Sequence, residues 1–322
     1  MPKVSVIIPI WGVEQCIEKC SRSLFEQTLD DLEFIFINDC TLDKSMNILQ
    51  QVIEEYPQRN KQVVILHNEQ NLGQSKTRKR GINTATGDYV IHCDSDDWVE
   101  NNWLEVLYEK AISVNADVVW CDFTRCYDDG RCVYFANTAE PTIEDSLLKL
   151  ITGPKWGTLW SHLVKREIVQ SPQIVWPTWN YCEDLALVFQ YIALSRNIDY
   201  VNSSFYNYRY NTLSICNAIE REKKIVNISG AINAILTELE ICKKVGLYNK
   251  FLPYCRTEIF KARARVFSII DNDYEACKLW RSFNDGLNFC YIWKSTMSIK
   301  DKLLFSSISL YIYPFYHKII RS

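Results

Sequence analysis

Apolar positions in the first hundred residues fall into short runs separated by stretches with helical spacing. Val4 to Ile10 is a β-branched apolar run stopped at Pro9, which predicts a buried strand. From Glu14 to Gln27, Ile17, Cys20 and Leu24 recur at the period of a helix. Leu32 to Ile37 predicts a second strand, and Asp43 a cap for a helix running to about Tyr56. Gln62 to Leu66 reads as a third strand, Gly73 to Ala85 as a third helix, and Tyr89 to Cys93 as a fourth strand. This alternation predicts an α/β fold, a mostly parallel sheet with helices on both faces. Such sheets bind ligands at the carboxyl ends of their strands. Polar residues gather there: Asp39 after the second strand, Asn71 and Gly73 after the third, Asp94 and Asp96 after the fourth.

Beyond Trp98 the pattern predicts a helix over Asn101 to Ser113 and a strand over Asp117 to Phe123. A turn at Asp128-Asp129-Gly130 leads to a hairpin partner at Cys132 to Ala136, and a helix opens at Pro141-Thr142. Gly153 to Trp160 reads as an ordered loop. Cys182-Glu183-Asp184 precedes an apolar helix from Leu185 to Leu194, and Tyr200-Val201 marks a short strand. Tyr206 to Tyr210 is aromatic and basic. From Ala218 long helical periodicity takes over, through Ile225, Ile228, Ile232, Ile235 and Leu239. The chain therefore divides into an α/β region, residues 1–215, and a helical region, residues 216–322. Its last stretch, Leu303 to Tyr316, is apolar and tyrosine-rich with Lys300, Lys302, Lys318 and Arg321 around it. That composition suits a membrane interface; a terminal helix docked on the core, or on a second subunit in a homodimer, fits it as well. There is no uninterrupted apolar run of about 18 residues, so no spanning helix is predicted.

Composition narrows the classes. With 48% hydrophobic and 23% charged residues the chain is an ordinary globular one, and its net charge of -3 gives no global attraction to nucleic acid. The 13 cysteines include no CxxC pair, and no secretory signal follows Met1-Pro2-Lys3, which points to a cytoplasmic protein with reduced thiols. Four scattered histidines argue against zinc. Neither GxGxxG nor GxxxxGK[ST] follows the first strand, so any nucleotide phosphates must be managed by other means.

Asp94-Ser95-Asp96-Asp97 places three carboxylates within four residues at a strand end. They repel one another unless a cation sits among them. Mg2+ or Mn2+ suits the position, because hard divalent ions prefer carboxylate, water and phosphate oxygens. An acidic turn capping a helix near Glu100 is the plainer alternative.

Val4-Ser5-Val6-Ile7-Ile8-Pro9, Asn38-Asp39, Asn71-Leu72-Gly73 through Arg78, Gly87-Asp88-Tyr89, Asp94-Ser95-Asp96-Asp97-Trp98 and Glu183-Asp184 stand in an order that resembles family 2 glycosyltransferases, inverting enzymes of the GT-A fold. The likeness covers about residues 3 to 214, and the tail is similar to bacterial members that build surface polysaccharide. The resemblance implies a UDP-sugar donor, a glycan or lipid-linked acceptor, and work peripheral to the inner face of the cytoplasmic membrane. It implies that Pro9, Ile10 and Glu14 border the base and ribose, that Asp39 accepts from a pyrimidine N–H, and that Arg78 lies near the diphosphate. Asp94 would meet the ribose or the metal shell, Asp96 the metal itself, with Asp97 in support. Asp184 would be the catalytic base and Glu183 would orient a sugar. Trp156, Trp160, Trp179 and Tyr181 would either stack on sugar faces or pack in the core. Trp11-Gly12, Cys40, Thr77, Lys79 and Cys182 depart from the family pattern, and His162 stands where lysine is common; a structural role is expected for it. A nucleotide-sugar-binding subunit without turnover shares all these motifs. A nucleotidyltransferase shares the acidic ones but needs a phosphate-cradling loop, which Trp11-Gly12-Val13-Glu14 is not.

Overall fold

The computed structural model describes every residue except 139, 154–155, 211–219, 284, 311 and 315–322. Strands β1 (Val4–Ile10), β2 (Leu32–Asn38), β3 (Val63–His67) and β4 (Tyr89–His92) lie in the order β3-β2-β1-β4, all parallel. Helices α1 (Ile17–Phe25), α2 (Ser45–Glu55) and α3 (Gln74–Thr84) connect them as expected. Alternation along β1 divides the core. Val4, Val6, Ile8 and Ile10 pack toward α1, α2 and α4 (Trp103–Ser113), while Ile7 faces α3 and the helices that follow.

Past β4 the sheet becomes mixed. β5 (Trp98–Val99), β6 (Val118–Cys126), β7 (Cys132–Phe135), β8 (His162–Lys165) and β9 (Ile198–Arg209) extend it as β4-β8-β6-β9-β5, with β7 beside the far half of β6. β8 is antiparallel to both β4 and β6, and β9 is parallel to β6. The short strand expected at Tyr200-Val201 is a twelve-residue strand, and its polar middle, Asn202-Ser203-Ser204, hid that length. Thr142 caps α5 (Ile143–Thr152) by accepting the Asp145 amide. α6 (Arg166–Val169) is a single turn, and α7 (Glu183–Ala193) starts at the acidic pair itself.

The helical region comprises α8 (Arg221–Lys244), α9 (Tyr248–Ala264), α10 (Asp273–Ser282), α11 (Phe289–Ile292) and α12 (Ile299–Ser309). It shares one apolar core with the sheet: Ile7 and Val90 belong to the same cluster as Leu187, Ile232, Phe260 and Trp280. α8 has the length and mean hydropathy (1.4) of a spanning helix, yet 61% of that apolar stretch is buried inside the protein, as in a core helix. A Cβ on Gly230 would come 2.7 Å from the Tyr181 carbonyl, so α8 lies directly on the loop that leads into α7. The boundary expected near residue 215 falls within 211–219, outside the described residues. In the final stretch Phe305 and Ile308 dock on the core while Leu303, Leu310 and Ile312 are exposed.

Glu238 on α8 is fully buried, and among the described residues neither carboxylate oxygen has a hydrogen-bond partner. Burial, with the Glu258 charge adding to it, pushes its carboxyl up to about 8. The folded chain then keeps a proton that the unfolded chain releases near the ordinary glutamate value. Stability attributable to this group is present at low pH and declines as pH rises toward 8. The steepest slope is about 1.4 kcal/mol per pH unit. Glu238→Gln is expected to flatten that decline in urea denaturation from pH 5 to 8.5. The slope is the readout, because a buried amide without partners carries its own pH-independent cost. An unchanged slope would show that Glu238 ionises normally.

Candidate active site

Asp94-Ser95-Asp96-Asp97 is a tight turn between β4 and β5, closed by the Asp97 amide donating to the Asp94 carbonyl at 3.1 Å. It caps no helix, since α4 begins at Trp103. Neighbouring strands hold it from two sides. Ser95 Oγ donates to the Pro9 carbonyl at 2.7 Å, and buried Tyr206 on β9 donates its hydroxyl to Asp97 Oδ2 at 2.7 Å. The same hydroxyl accepts the Asp94 amide, and Asp97 Oδ1 accepts the Arg209 amide at 2.7 Å. Asp97 is thus consumed in holding the turn. Its burial, and next the charges of Asp96 and Asp94, push its carboxyl well up.

Asp96 differs. Among the described residues no donor but its own amide reaches its carboxylate, and burial followed by the Asp94 charge raises it to about 6. It faces a cleft of about 300 Å³ shared with Cys16, Lys19, Cys126 and Arg209.

Arg78 on α3 joins the two acidic motifs. Its side chain is 3% exposed; Nη2 donates to Asp94 Oδ1 at 2.7 Å and Nη1 to Glu183 Oε1 at 2.8 Å. Both carboxylates keep this cation charged against the burial that opposes its charge. Arg78 is therefore a bridge between the β4 turn and the α7 N-terminus, residues about ninety apart in sequence.

Glu183 is 4% exposed, and burial, then the neighbouring Asp184 charge, lifts it to about 7. Asp184 is half-exposed; its Oδ1 accepts the Leu185 amide at 2.9 Å, and burial raises its carboxyl. The motif starts α7 because Cys182 takes a left-handed conformation (φ 60), the backbone for which glycine is favoured. The preceding loop docks on α3: Ser75 donates its amide to Asn180 Oδ1 and its hydroxyl to the Pro177 carbonyl, and Trp176 Nε1 donates to the Ser75 carbonyl.

Asp39 is buried and organises the loop after β3. Its Oδ1 accepts from Asn68 Nδ2 at 2.7 Å and the Leu72 amide at 2.8 Å, and its Oδ2 accepts the Gly73 amide at 3.0 Å. A carboxylate has about four acceptor positions, so Oδ2 keeps one for a ligand donor. The Ile10 carbonyl accepts the Asp39 amide at 2.9 Å. Glu14 is exposed and ties the loop after β1 to α2: its amide donates to Asp43, and its Oε2 accepts the Lys44 amide. Trp11 beside it is 60% exposed.

The structure brings Asp39, Arg78, Asp94, Asp96, Glu183 and Asp184 to the carboxyl-end side of the parallel strands. Asn68, Tyr206 and Arg209 were not singled out for the site from sequence; only the aromatic, basic run at 206–210 hinted at the last two. Trp160 packs in the core, stacked on Tyr206 with ring centroids 4.3 Å apart, and Trp156 packs edge-on against Phe123 and Phe135. Trp179 and Tyr181 are half-buried beneath α8. His162 is buried, bonded through Nδ1 to the Thr158 carbonyl at 2.7 Å and stacked on Trp120, a packing role.

Among the described residues no three His, Cys, Asp or Glu side chains converge as a closed metal cage. An open carboxylate beside a second one fits Mg2+ or Mn2+, which take one or two carboxylates and complete their shells with water and phosphate oxygens. Asp96 would hold such an ion, with Asp94 in its shell.

The site is thus an α/β sheet whose strand-end acidic turn and the acidic start of α7 are joined by one buried arginine. The glycosyl transferase family 2 model matches residues 5–162, and this chain belongs to that family. It is 29% identical to the putative glycosyltransferase EpsH of Bacillus subtilis over 71% of this chain and 66% of that one, so it spans just under two thirds of that relative. S. aureus TarS 1-349 in complex with UDP-GlcNAc shares the fold, with a TM-score of 0.58 at 17% identity over 86% of this chain and 83% of that one. So does the mannosyltransferase PcManGT from Pyrobaculum calidifontis in complex with GDP-Man and Mn2+, with a TM-score of 0.53 at 12% identity over 98% and 86%.

Proposed function

We propose that this protein is an inverting, metal-dependent glycosyltransferase that moves a hexose from a UDP-sugar to a hydroxyl of a glycan acceptor. The observation that carries this reading is that one buried arginine, Arg78, ties the turn bearing the open carboxylate Asp96 to the acidic pair Glu183-Asp184 through Asp94 and Glu183. The acceptor is a lipid-linked glycan at the inner face of a bacterial membrane; the exposed apolar side chains on and after α12, with Lys300 and Lys302 nearby, support that part.

In a single displacement the acceptor oxygen attacks the anomeric carbon from the face opposite the nucleotide. Its proton passes to the free Oδ2 of Asp184, while the bond from sugar to phosphate breaks and UDP departs. Asp184 suits the base better than Glu183, whose Oε1 is committed to Arg78. A divalent ion on Asp96 would neutralise the charge that builds on the departing diphosphate. Asp39 receives the uracil N–H on the open position of Oδ2. TarS holding UDP-GlcNAc on the same fold supports a uridine donor, and PcManGT holding Mn2+ supports the metal.

The test is release of nucleoside diphosphate from a panel of UDP-, GDP- and dTDP-sugars, with Mn2+ or with EDTA. Turnover is expected from a UDP-sugar alone, and EDTA is expected to abolish it. Equal UDP affinity in Mn2+ and EDTA would overturn the role of Asp96, and preference for another base that of Asp39. Tight binding without release or transfer would make the protein a nucleotide-sugar-binding subunit.

A further inference from the structure

The cleft that holds Asp96 has a wall chemically unlike the rest of the site. Its far side is the tip of the β6–β7 hairpin, where Cys126 and Cys132 are directly opposite one another. The next pair outward, Tyr127 and Arg131, is joined by the Tyr127 amide donating to the Arg131 carbonyl at 2.9 Å. Narrow and wide pairs alternate along an antiparallel ladder, so Cys126 and Cys132 occupy a non-hydrogen-bonded pair, where Cα atoms are about 4.5 Å apart and side chains are closest. That separation lies within the range a disulfide spans without backbone movement. The two sulfurs are direct neighbours, 2.6 Å apart, and every described cysteine is a free thiol. Cys132 is exposed to reagent whereas Cys126 is buried behind it, lining the cleft. A third thiol, Cys16, lines the same cleft and accepts from Arg209 Nη1 at 2.9 Å.

We propose that Cys126 and Cys132 form a reversible dithiol–disulfide site at the hairpin tip whose state reshapes the cleft wall facing Asp96. The co-reactant is a small disulfide of the glutathione class. The exposed Cys132 thiolate attacks one sulfur of the disulfide, forming a mixed disulfide and releasing one thiol. Cys126, as thiolate, then attacks the Cys132 sulfur and expels the second thiol. Two protein thiols are oxidised, the small disulfide is reduced to two thiols, and the two electrons and two protons balance. The link replaces two thiols by one fixed, apolar bridge in the cleft wall that Cys126 shares with Cys16 and Arg209, and so alters the cleft without touching a carboxylate of the proposed chemistry. In a reducing compartment such a pair is transient and responsive instead of a permanent staple.

The experiment uses the full-length protein and does not depend on the glycosyl-transfer reading. Treatment with oxidised glutathione, alkylation and peptide mapping should yield a peptide pair joined at Cys126 and Cys132, two hydrogens lighter than the dithiol and restored by dithiothreitol. Phenylarsine oxide, which clamps paired thiols, should protect both from alkylation at one equivalent. Cys132→Ser should lose the link and the arsenical protection, whereas Cys290→Ser, at another exposed thiol, should lose neither. The alkylation rate of Cys16 reads the cleft directly, and it should change by at least about threefold between linked and reduced forms. Cys132 left as a stable glutathione adduct, or both thiols left free, would overturn the site. A mapped link with an unchanged Cys16 rate would overturn its reach into the cleft.

Discussion

Asp184→Asn is expected to lower kcat by ~10²–10⁴, the usual contribution of a positioned general base. The affinity for UDP with Mn2+ should stay within about twofold, because no donor contact of the proposed site is altered. The substitution tests the base cleanly. The asparagine carbonyl oxygen can still accept the Leu185 amide, so the α7 N-terminus keeps that contact. Thermal unfolding of the variant should match the parent. The pH profile adds a second readout. Burial raises the Asp184 carboxyl, so the parent should lose activity as pH falls through a value above that of an ordinary aspartate, and the variant should lack that limb. A variant retaining a tenth or more of the parent rate would move the base elsewhere, with Glu183, raised to about 7, the next to test.

Arg78→Met is expected to cost roughly 3–5 kcal/mol, as when one partner of a buried ion pair is removed and the other charges remain. Here two carboxylates are stranded, Asp94 and Glu183. Without the cation the Glu183 carboxyl, already raised to about 7, rises further, the folded state holds a proton the unfolded state gives up, and stability then falls with increasing pH. The loss measured in urea should therefore be smaller at pH 5.5 than at pH 8. Adding Glu183→Gln should recover part of it, because the pair is coupled and the second change removes one stranded charge. A uniform loss at both pH values, with no recovery, would mean that Arg78 acts through packing alone.

How much of this was legible in the sequence depends on distance along the chain. The parallel half of the sheet was readable because each strand and helix carries its own period, and the strand ends delivered Asp39, Asp94 and Asp96 to one edge. The second half was harder to read. β5 is only two residues long, β8 lies in a loop-like passage, and β9 carries Asn202-Ser203-Ser204 through its centre. Residue roles followed the same rule. The Asp94-Asp96-Asp97 cluster could be found locally, but not which carboxylate was already spent. Tyr206 and Arg209 take Asp97 from more than a hundred residues away, and no local pattern announces that. Arg78 shows the limit most plainly, since neither of its two partners, Asp94 and Glu183, can be read from the residues beside it.

The contact of Gly230 with the Tyr181 carbonyl bears on how this protein could be recombined with its relatives. The family match ends at residue 162, and the acidic pair and the helix pressed against its loop both lie beyond it. A chimera cut at the end of that match would exchange the proposed base and its backing together, leaving the Arg78–Glu183 bond and the docking of the loop on Ser75 to be matched across the junction. A cut between α7 and α8 would set one parent's loop against another parent's helix. Any side chain at the glycine position would then push the Glu183-Asp184 turn off its arginine, producing a folded sheet with a disabled site.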